Sequence, residues 1–477
     1  MTFFTLCWIT FPFVVAFSIY LLPRLNRMLA LAGALWSGVY ALVIFLQPEP
    51  LSLRLVDHFG VSLELDSLAA FFIITNALVT IAVLLYSWTE QRPTFFYTQV
   101  LLLHGSVNAA LACTDFISLY VALELLSIAT FLLIVAPRCD RTLWIGLRYL
   151  FVSNIALLFY LVGALFVYQA TYSFDFRGLA QAPPEATALI FTGLLVKGGI
   201  FVSGLWLPVT HAESESAVSA LMSGVVVKAA ILPMARCALL LEEIDPIVRL
   251  LGVATAVFGV GYAVFEKDLK RMLAFHTISQ LGFILAAPEV GGFYALTHGL
   301  VKAALFLGAG VLPSRDLKQL ASQPLPRGLW AALAIASFSI SGFPLLSGYG
   351  AKILTMENLL PWQVIGMNIA ALGTAISFAK LIFLTPDSSA EEPQKPGFWW
   401  AMAVLLGGLV GANLVYYDAY TWKNVAKPLI TIGLGWLTYG VVIKRVSLKP
   451  PRLLEQFEHL MGMMVLTLVA LFWIAVA

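Results

Sequence analysis

The chain has 477 residues, of which 60% are hydrophobic and only 11% charged, with a net charge of +2. A soluble domain is about 45–50% apolar and about 25% charged, so a soluble enzyme, a secreted disulfide scaffold and a disordered tail are excluded. Near-neutrality gives no reason to invoke nucleic acid. Cys7, Cys113, Cys139 and Cys237 are scattered, which argues against a zinc site or iron–sulfur cluster built by this chain, and no metal or cofactor is expected of it.

A bilayer-spanning helix needs ~20 mostly apolar residues. About sixteen such runs follow one another: 3–22, 28–47, 67–88, 95–113, 115–136, 144–169, 187–207, 216–240, 246–264, 271–287, 291–312, 328–358, 362–384, 398–416, 427–443 and 460–477. The first has no basic n-region and no small-residue cleavage site, so it reads as a span and not as a removable signal. The longest connections are 48–66, 170–186, 385–397 and 444–459, and none holds a separate soluble domain. The last is charged and is expected to lie along the membrane surface. The fold class is therefore an all-α polytopic membrane protein with about 14–16 transmembrane helices. Connections numbered from the N-terminus carry sixteen basic residues at odd positions against five at even ones. Basic connections stay cytoplasmic, which places both termini outside. The expected location is a bacterial inner (plasma) membrane, with the thylakoid membrane as a second setting.

The informative residues are ionisable groups inside the spans, because a mid-bilayer charge costs roughly 2.5–3.5 kcal/mol on insertion scales. Glu124 stands in the fifth span, Arg148 in the sixth, Lys197 in the seventh and Lys228 in the eighth. His276 follows in the tenth, His298 and Lys302 in the eleventh, Lys352 in the twelfth and Lys380 in the thirteenth. Glu124 beside a lysine would form a switchable ion pair; the bland alternative is a static buried salt bridge. A desolvated lysine can release its proton where an arginine cannot, so Lys197 and Lys228 suit proton storage, against the alternative of snorkelling to an interface. His298 and Lys302 are four apart on one helical face and resemble two stations of a proton relay. His276 lies nearer the cytoplasmic end. A hydrogen-bonded structural role is the alternative for both histidines.

Gly342, Pro344, Gly348 and Gly350 precede Lys352, and Gly198, Gly199 and Pro208 follow Lys197. Both stretches should break their helices at membrane depth, where irregular backbone is tolerated only inside protein or beside a cavity. Pro233 is expected to bend the eighth span. Spans four to eight and nine to thirteen then form two five-helix repeats, each with a broken helix and a lysine at matching places. An odd helix count inverts one repeat against the other. The expected segments are 1–90 (three helices), 91–241 (first repeat), 242–385 (second repeat) and 386–477 (C-terminal helices).

The block LPVTHAESESAVSALMSGVVVKAAILPMAR, followed by EKDLKRMLAFHTISQLGF and THGLVKAALFLGAG, resembles the antiporter-like membrane subunits. These include the large subunits of Mrp-type multi-subunit Na+/H+ antiporters and the proton-pumping subunits of respiratory complex I. The resemblance covers roughly residues 65–385. It implies two inverted five-helix repeats, and Glu124, Lys197, Lys228, His298 and Lys352 match the family's charged positions. With Lys302 they make the expected proton path, and Arg148, His211, His276 and Lys380 are secondary candidates. Lys352 stands where the complex I branch of similar length usually carries glutamate, which favours the D-type Mrp subunit. The family's usual W-L-P-D-A-H string is WLPVTH here, without the aspartate, and the two extra C-terminal spans are unusual for a D-type subunit. The expected function is a proton-translocating subunit of a monovalent cation (Na+ or K+)/H+ antiporter, working among other membrane subunits and not itself an enzyme. The alternative is a non-redox, proton-pumping membrane subunit of an NAD(P)H- or ferredoxin-quinone oxidoreductase. No G-x-G-x-x-G dinucleotide loop is evident in the sequence.

Overall fold

The computed structural model describes residues 1–476 apart from 57–59, 417–418, 447 and 449. Apolar runs of bilayer length become helices in chain order. The first are α1 (Thr2–Leu21), α2 (Asn26–Phe45), α3 (Ser67–Tyr86), α4 (Thr94–Ala112), α5 (Phe116–Ile134) and α6 (Asp140–Thr171). Next come α7 (Pro184–Gly198), α8 (Trp206–Glu213), α9 (Ser216–Leu221), α10 (Lys228–Leu240), α11 (Asp245–Phe265), α12 (Leu269–Ala286) and α13 (Gly291–Ala309). The chain continues through α14 (Leu317–Ser322), α15 (Arg327–Ser341), α16 (Ser347–Glu357) and α17 (Val364–Ile382). It ends with α18 (Pro396–Val415), α19 (Trp422–Thr438) and α20 (Phe457–Val476). Among the described residues, thirteen helical stretches are long and apolar enough to cross a bilayer. The other expected spans are α4 and α12, which carry more polar residues, and the broken α15–α16 pair.

Aspartates set several helix starts by accepting exposed backbone N–H groups. Asp66 accepts from Ala69 at 2.8 Å, Asp115 from Ser118 at 2.7 Å and Asp268 from Arg271 at 3.0 Å. The long connection after α2 is not irregular. It forms a hairpin of β1 (Leu51–Val56) and β2 (Gly60–Leu65), with Leu53 opposite Leu63. Alternating leucines in both strands give the period-two pattern that buries one face. Asp115 fastens the hairpin by accepting from Ser62 N at 2.8 Å, and Arg236 of α10 reaches Asp66 at 2.9 Å and Glu64 at 3.2 Å. A second, two-residue pairing joins β3 (Leu325–Pro326) to β4 (Pro386–Asp387) in parallel.

The centre of the bundle is α12 and α13, in which every residue is buried. Small residues let neighbours close on them, as is usual for helices in lipid. A methyl group added at Gly259 of α11 would lie 2.5 Å from Ser279 N, and one at Gly252 would lie 2.7 Å from Ala286 N. Gly193 and Gly163 do the same for α7 against α6.

Two helices break as expected. Gly199 and Gly342 both take left-handed backbone (φ 67° and 85°), a conformation open to glycine at little steric cost. Each ends a fifteen-residue half-helix, α7 or α15. The eighth span is irregular at a π-helical turn, Met222–Val226, about two turns before Pro233, which sits inside α10.

The C-terminal segment is not a passive surface strip. Glu455 is buried there and pairs with Arg271 at 2.6 Å, while Glu266 meets Arg271 at 3.1 Å and Arg452 at 3.6 Å. Beyond it α20 packs against α7, whereas α19 packs against α17. The segment thus crosses from one half of the bundle to the other.

Candidate functional site

Lys197 comes at the end of α7, two residues before the break, and its side chain is buried. Its Nζ donates to Ser127 Oγ at 2.7 Å and Ser153 Oγ at 2.8 Å, with Tyr149 OH at 3.4 Å. Ser127 spends its own proton on Leu123 O at 2.6 Å, which leaves its lone pairs free to accept. The three hydroxyls form a cradle for an ammonium group. Glu124 lies one turn before Ser127 on α5 and is half-buried. Among the described residues no ion pair within 4 Å joins it to Lys197, so the carboxylate and the lysine stand apart in this structure.

Lys228 opens α10 directly after the π turn, which turns carbonyls out of the regular ladder. Its Nζ donates to Gly224 O at 2.7 Å and Ser223 O at 3.0 Å. It faces α13 at Gly299, where an added methyl would sit 3.6 Å from Nζ. The neighbour of Gly299 is His298.

His298 is buried, and neither ring nitrogen has a hydrogen-bond partner among the described residues. Buried polar groups are normally paired, so such a ring marks a position with room for a changing partner. It lines a cavity about the size of one water molecule, together with Gln280, Tyr294, Thr297, Ser339 and Gly348. Tyr294 OH donates to Gln280 Oε1 at 2.5 Å, and Gln280 donates on to Thr374 Oγ1 at 3.2 Å.

Lys302, one turn along α13, is fully buried and donates to Leu273 O at 2.5 Å. It lies between two rings, 5.8 Å from Phe306 and 6.0 Å from Phe378. Each ring is backed by a histidine. His211 of α8 stacks on Phe306 at 4.7 Å, and His276 of α12 meets Phe378 at 4.7 Å. Neither nitrogen of either histidine has a partner among the described residues. Lys352 of α16 is buried and its Nζ is likewise unpaired among them, 5.7 Å from the centre of Phe283. Phe283 stacks on Tyr294 at 5.3 Å, and Tyr294 lines the His298 cavity, as does Gly348, one turn before Lys352 on α16.

The two broken-helix lysines do not occupy the matching places that the repeat pattern predicts. Lys197 precedes its break and Lys352 follows its own; the sixth residue of α8 is His211, where the sixth of α16 is Lys352. Two secondary candidates hold helix and chain ends together. Lys380 donates to Val264 O at 2.7 Å and Glu266 O at 2.9 Å, satisfying carbonyls at the end of α11. Arg148 donates to the backbone oxygen of Glu455.

Several participants escape sequence reasoning. Ser127 had a signal in its one-turn spacing from Glu124. Ser153, Tyr149, Gln280 and Tyr294 had none, because such residues occur on helices for many reasons. A further buried network lies outside this axis: His104 bonds Ser37 at 2.8 Å and Thr80 at 3.1 Å, and Asn76 bonds Asn108 at 2.8 Å.

Residues 113–377 match the NADH:quinone oxidoreductase/Mrp antiporter transmembrane family. The chain is 29% identical to the D-type subunit of the Na+/H+ antiporter of Alkalihalophilus pseudofirmus, with 78% of this chain and 83% of that protein covered. It is 30% identical to the N-type subunit of the NADH-quinone oxidoreductase of Desulforudis audaxviator, with 81% and 88% covered. Its fold is similar to that of a chain in the Mrp complex from a Dietzia species, with a TM-score of 0.78 at 23% identity, over 98% of this chain and 59% of that one. The chain therefore belongs to the NADH:quinone oxidoreductase/Mrp antiporter transmembrane family.

Proposed function

We propose that this chain is the proton-translocating subunit of a multi-subunit monovalent cation/H+ antiporter, with sodium or potassium moving against protons. The observation that carries this reading is the file of titratable groups in one bundle core. Lys197, Lys228, His298, Lys302 and Lys352 are all buried; hydroxyls hold Lys197, backbone carbonyls hold Lys228 and Lys302, and the polar atoms of His298 and Lys352 have no partner among the described residues. The likeness to a D-type antiporter subunit supports it. The segments 1–90, 91–241, 242–385 and 386–477 serve as an N-terminal three-helix unit, two inverted repeats and C-terminal helices. The proposed location is a bacterial inner membrane, or a thylakoid one, and the excess of basic odd connections supports an orientation with both termini outside.

In the proposed cycle a proton enters near Lys228, exchanges with Lys197, passes His298 and leaves by way of Lys352. His211, His276, Arg148 and Lys380 flank this path. Glu124 is the switch. Brought to ~4 Å of Lys197 at an effective dielectric of ~20, its carboxylate is worth about 4 kcal/mol. That decides whether the lysine keeps its proton in the hydroxyl cradle or passes it on. Partner membrane subunits complete the cation path.

A second reading, a proton-pumping subunit of an NAD(P)H- or ferredoxin-quinone oxidoreductase, is favoured by the 30% identity to an N-type oxidoreductase subunit. One preparation separates the two. The chain is expressed with its neighbouring genes, purified and reconstituted. Dissipation of an imposed pH gradient by added NaCl or KCl, with only membrane subunits co-purifying, is the expected result. No response to either salt, with iron–sulfur proteins co-purifying, overturns the antiporter reading in favour of the second.

A further inference from the structure

Two adjoining cavities lie at one end of α11, away from the relay. One, of about 560 Å³, is walled by Lys267, Lys318, Lys444 and Arg445, with Lys380 at its floor. The other, of about 470 Å³, is apolar and runs along α11 past Phe258, Gly261 and Tyr262. They share Phe265 and Leu448, so basic and apolar space are continuous. Gly261 has nothing within 4 Å of where a side chain would start, which leaves the helix face open there.

The charge balance is one-sided. None of Lys267, Lys318, Lys444 or Arg445 forms an ion pair with a carboxylate among the described residues. The one acidic wall residue, Glu266, is already committed to Arg271 at 3.1 Å and Arg452 at 3.6 Å. Lys318, Lys444 and Arg445 are exposed, as are the apolar Val446 and Leu448 beside them. Uncompensated cations next to an apolar cleft at the end of membrane helices match a ligand with an anionic head and a hydrocarbon tail. A soluble anion would leave the cleft without a use, and a neutral lipid would leave the cations unpaired.

We propose that this amphipathic cavity is a binding site for an anionic phospholipid, with its phosphate among Lys318, Lys444 and Arg445 and an acyl chain along α11 between Phe258 and Leu448. The lipid would bridge α11, α14, α17 and the end of α19, just where the C-terminal segment leaves for the other half of the bundle.

The test uses the full chain, delipidated in a neutral detergent and titrated with phosphatidylglycerol, phosphatidylcholine or glycerol 3-phosphate while unfolding temperature and lipids retained in native mass spectrometry are followed. Phosphatidylglycerol alone should raise the unfolding midpoint and remain bound. Each basic residue near an anionic lipid is worth ~1 kcal/mol, so K318Q/K444Q/R445Q should weaken phosphatidylglycerol by about a hundredfold. A control triple, R24Q/R138Q/R327Q, removes exposed charge elsewhere and should leave the affinity unchanged. Equal stabilisation by phosphatidylcholine overturns the proposal. So does full reproduction by glycerol 3-phosphate, which would make this a soluble-anion site, or an equal loss in both triple variants.

Discussion

Gly299 is the point where α13, the helix of His298 and Lys302, meets α3 and the π turn. An alanine there would place its methyl 2.3 Å from Thr75 Cγ2, 3.1 Å from Gly224 O and 3.6 Å from Lys228 Nζ. Non-bonded carbons settle at about 3.5–4.0 Å, so α13 and α3 must separate by roughly an ångström. Thr75 cannot swing aside freely: it is β-branched and its hydroxyl donates to Phe71 O at 2.6 Å. Overpacking of this kind costs about 1–3 kcal/mol. The same displacement carries His298 away from Lys228, and proton transfer needs donor and acceptor within about 2.6–3.2 Å, directly or through one water. G299A should therefore lose about 1–3 kcal/mol in detergent-based unfolding and at least about tenfold in proton flux in proteoliposomes. T75S/G299A keeps the bond to Phe71 but removes the colliding Cγ2, and should recover more than half of both losses. Wild-type stability and flux in G299A, or no rescue by T75S, would refute the reasoning.

Three further outcomes follow from other contacts. S127A/S153A removes both short acceptors of Lys197, each worth about 1.5–3 kcal/mol to a charged donor. Proton flux should fall at least about tenfold, whereas S106A, whose hydroxyl donates within its own helix to Leu102 O, should keep most of it. E455A strands half of the charge around the buried Arg271 and should destabilise the chain by about 3 kcal/mol, read as a lower unfolding midpoint and faster cleavage within 444–459. Glu90, in the connection between α3 and α4, gives a pH signature. Burial alone would raise its carboxyl, but Lys395 and Arg92 outweigh burial and hold it below the ordinary range. Its stabilisation is present above the unfolded value of ~4.3 and is lost as pH falls through the lower folded value. The unfolding midpoint should be flat from about pH 7 to about pH 5 and drop below about pH 4. In E90Q that acid-limb drop should shrink.

The buried lysines were legible because a charge inside an apolar run has few innocent explanations. The two helix breaks were legible because glycine and proline cluster there. The exact break was not, since several glycines compete in each stretch and only Gly199 and Gly342 take the left-handed turn. The side on which each lysine lies did not depend on that choice, because every candidate breaker follows Lys197 and precedes Lys352. Arg148 and Lys380 were legible as secondary candidates from their place inside spans; that each donates to a backbone carbonyl at a segment end is a tertiary outcome with no local signature. The β1–β2 hairpin carried its signal in alternating leucines, overshadowed by the long apolar runs around it. Glu455 was invisible for the opposite reason, because a charged residue in a charged connection gives no hint that it is buried against Arg271.

The most direct test of the buried relay is proton flux in proteoliposomes holding the assembled complex with Lys197→Gln. Flux driven by a pH gradient should be abolished while the subunits still co-purify in wild-type proportions. Wild-type flux in that variant would contradict the account.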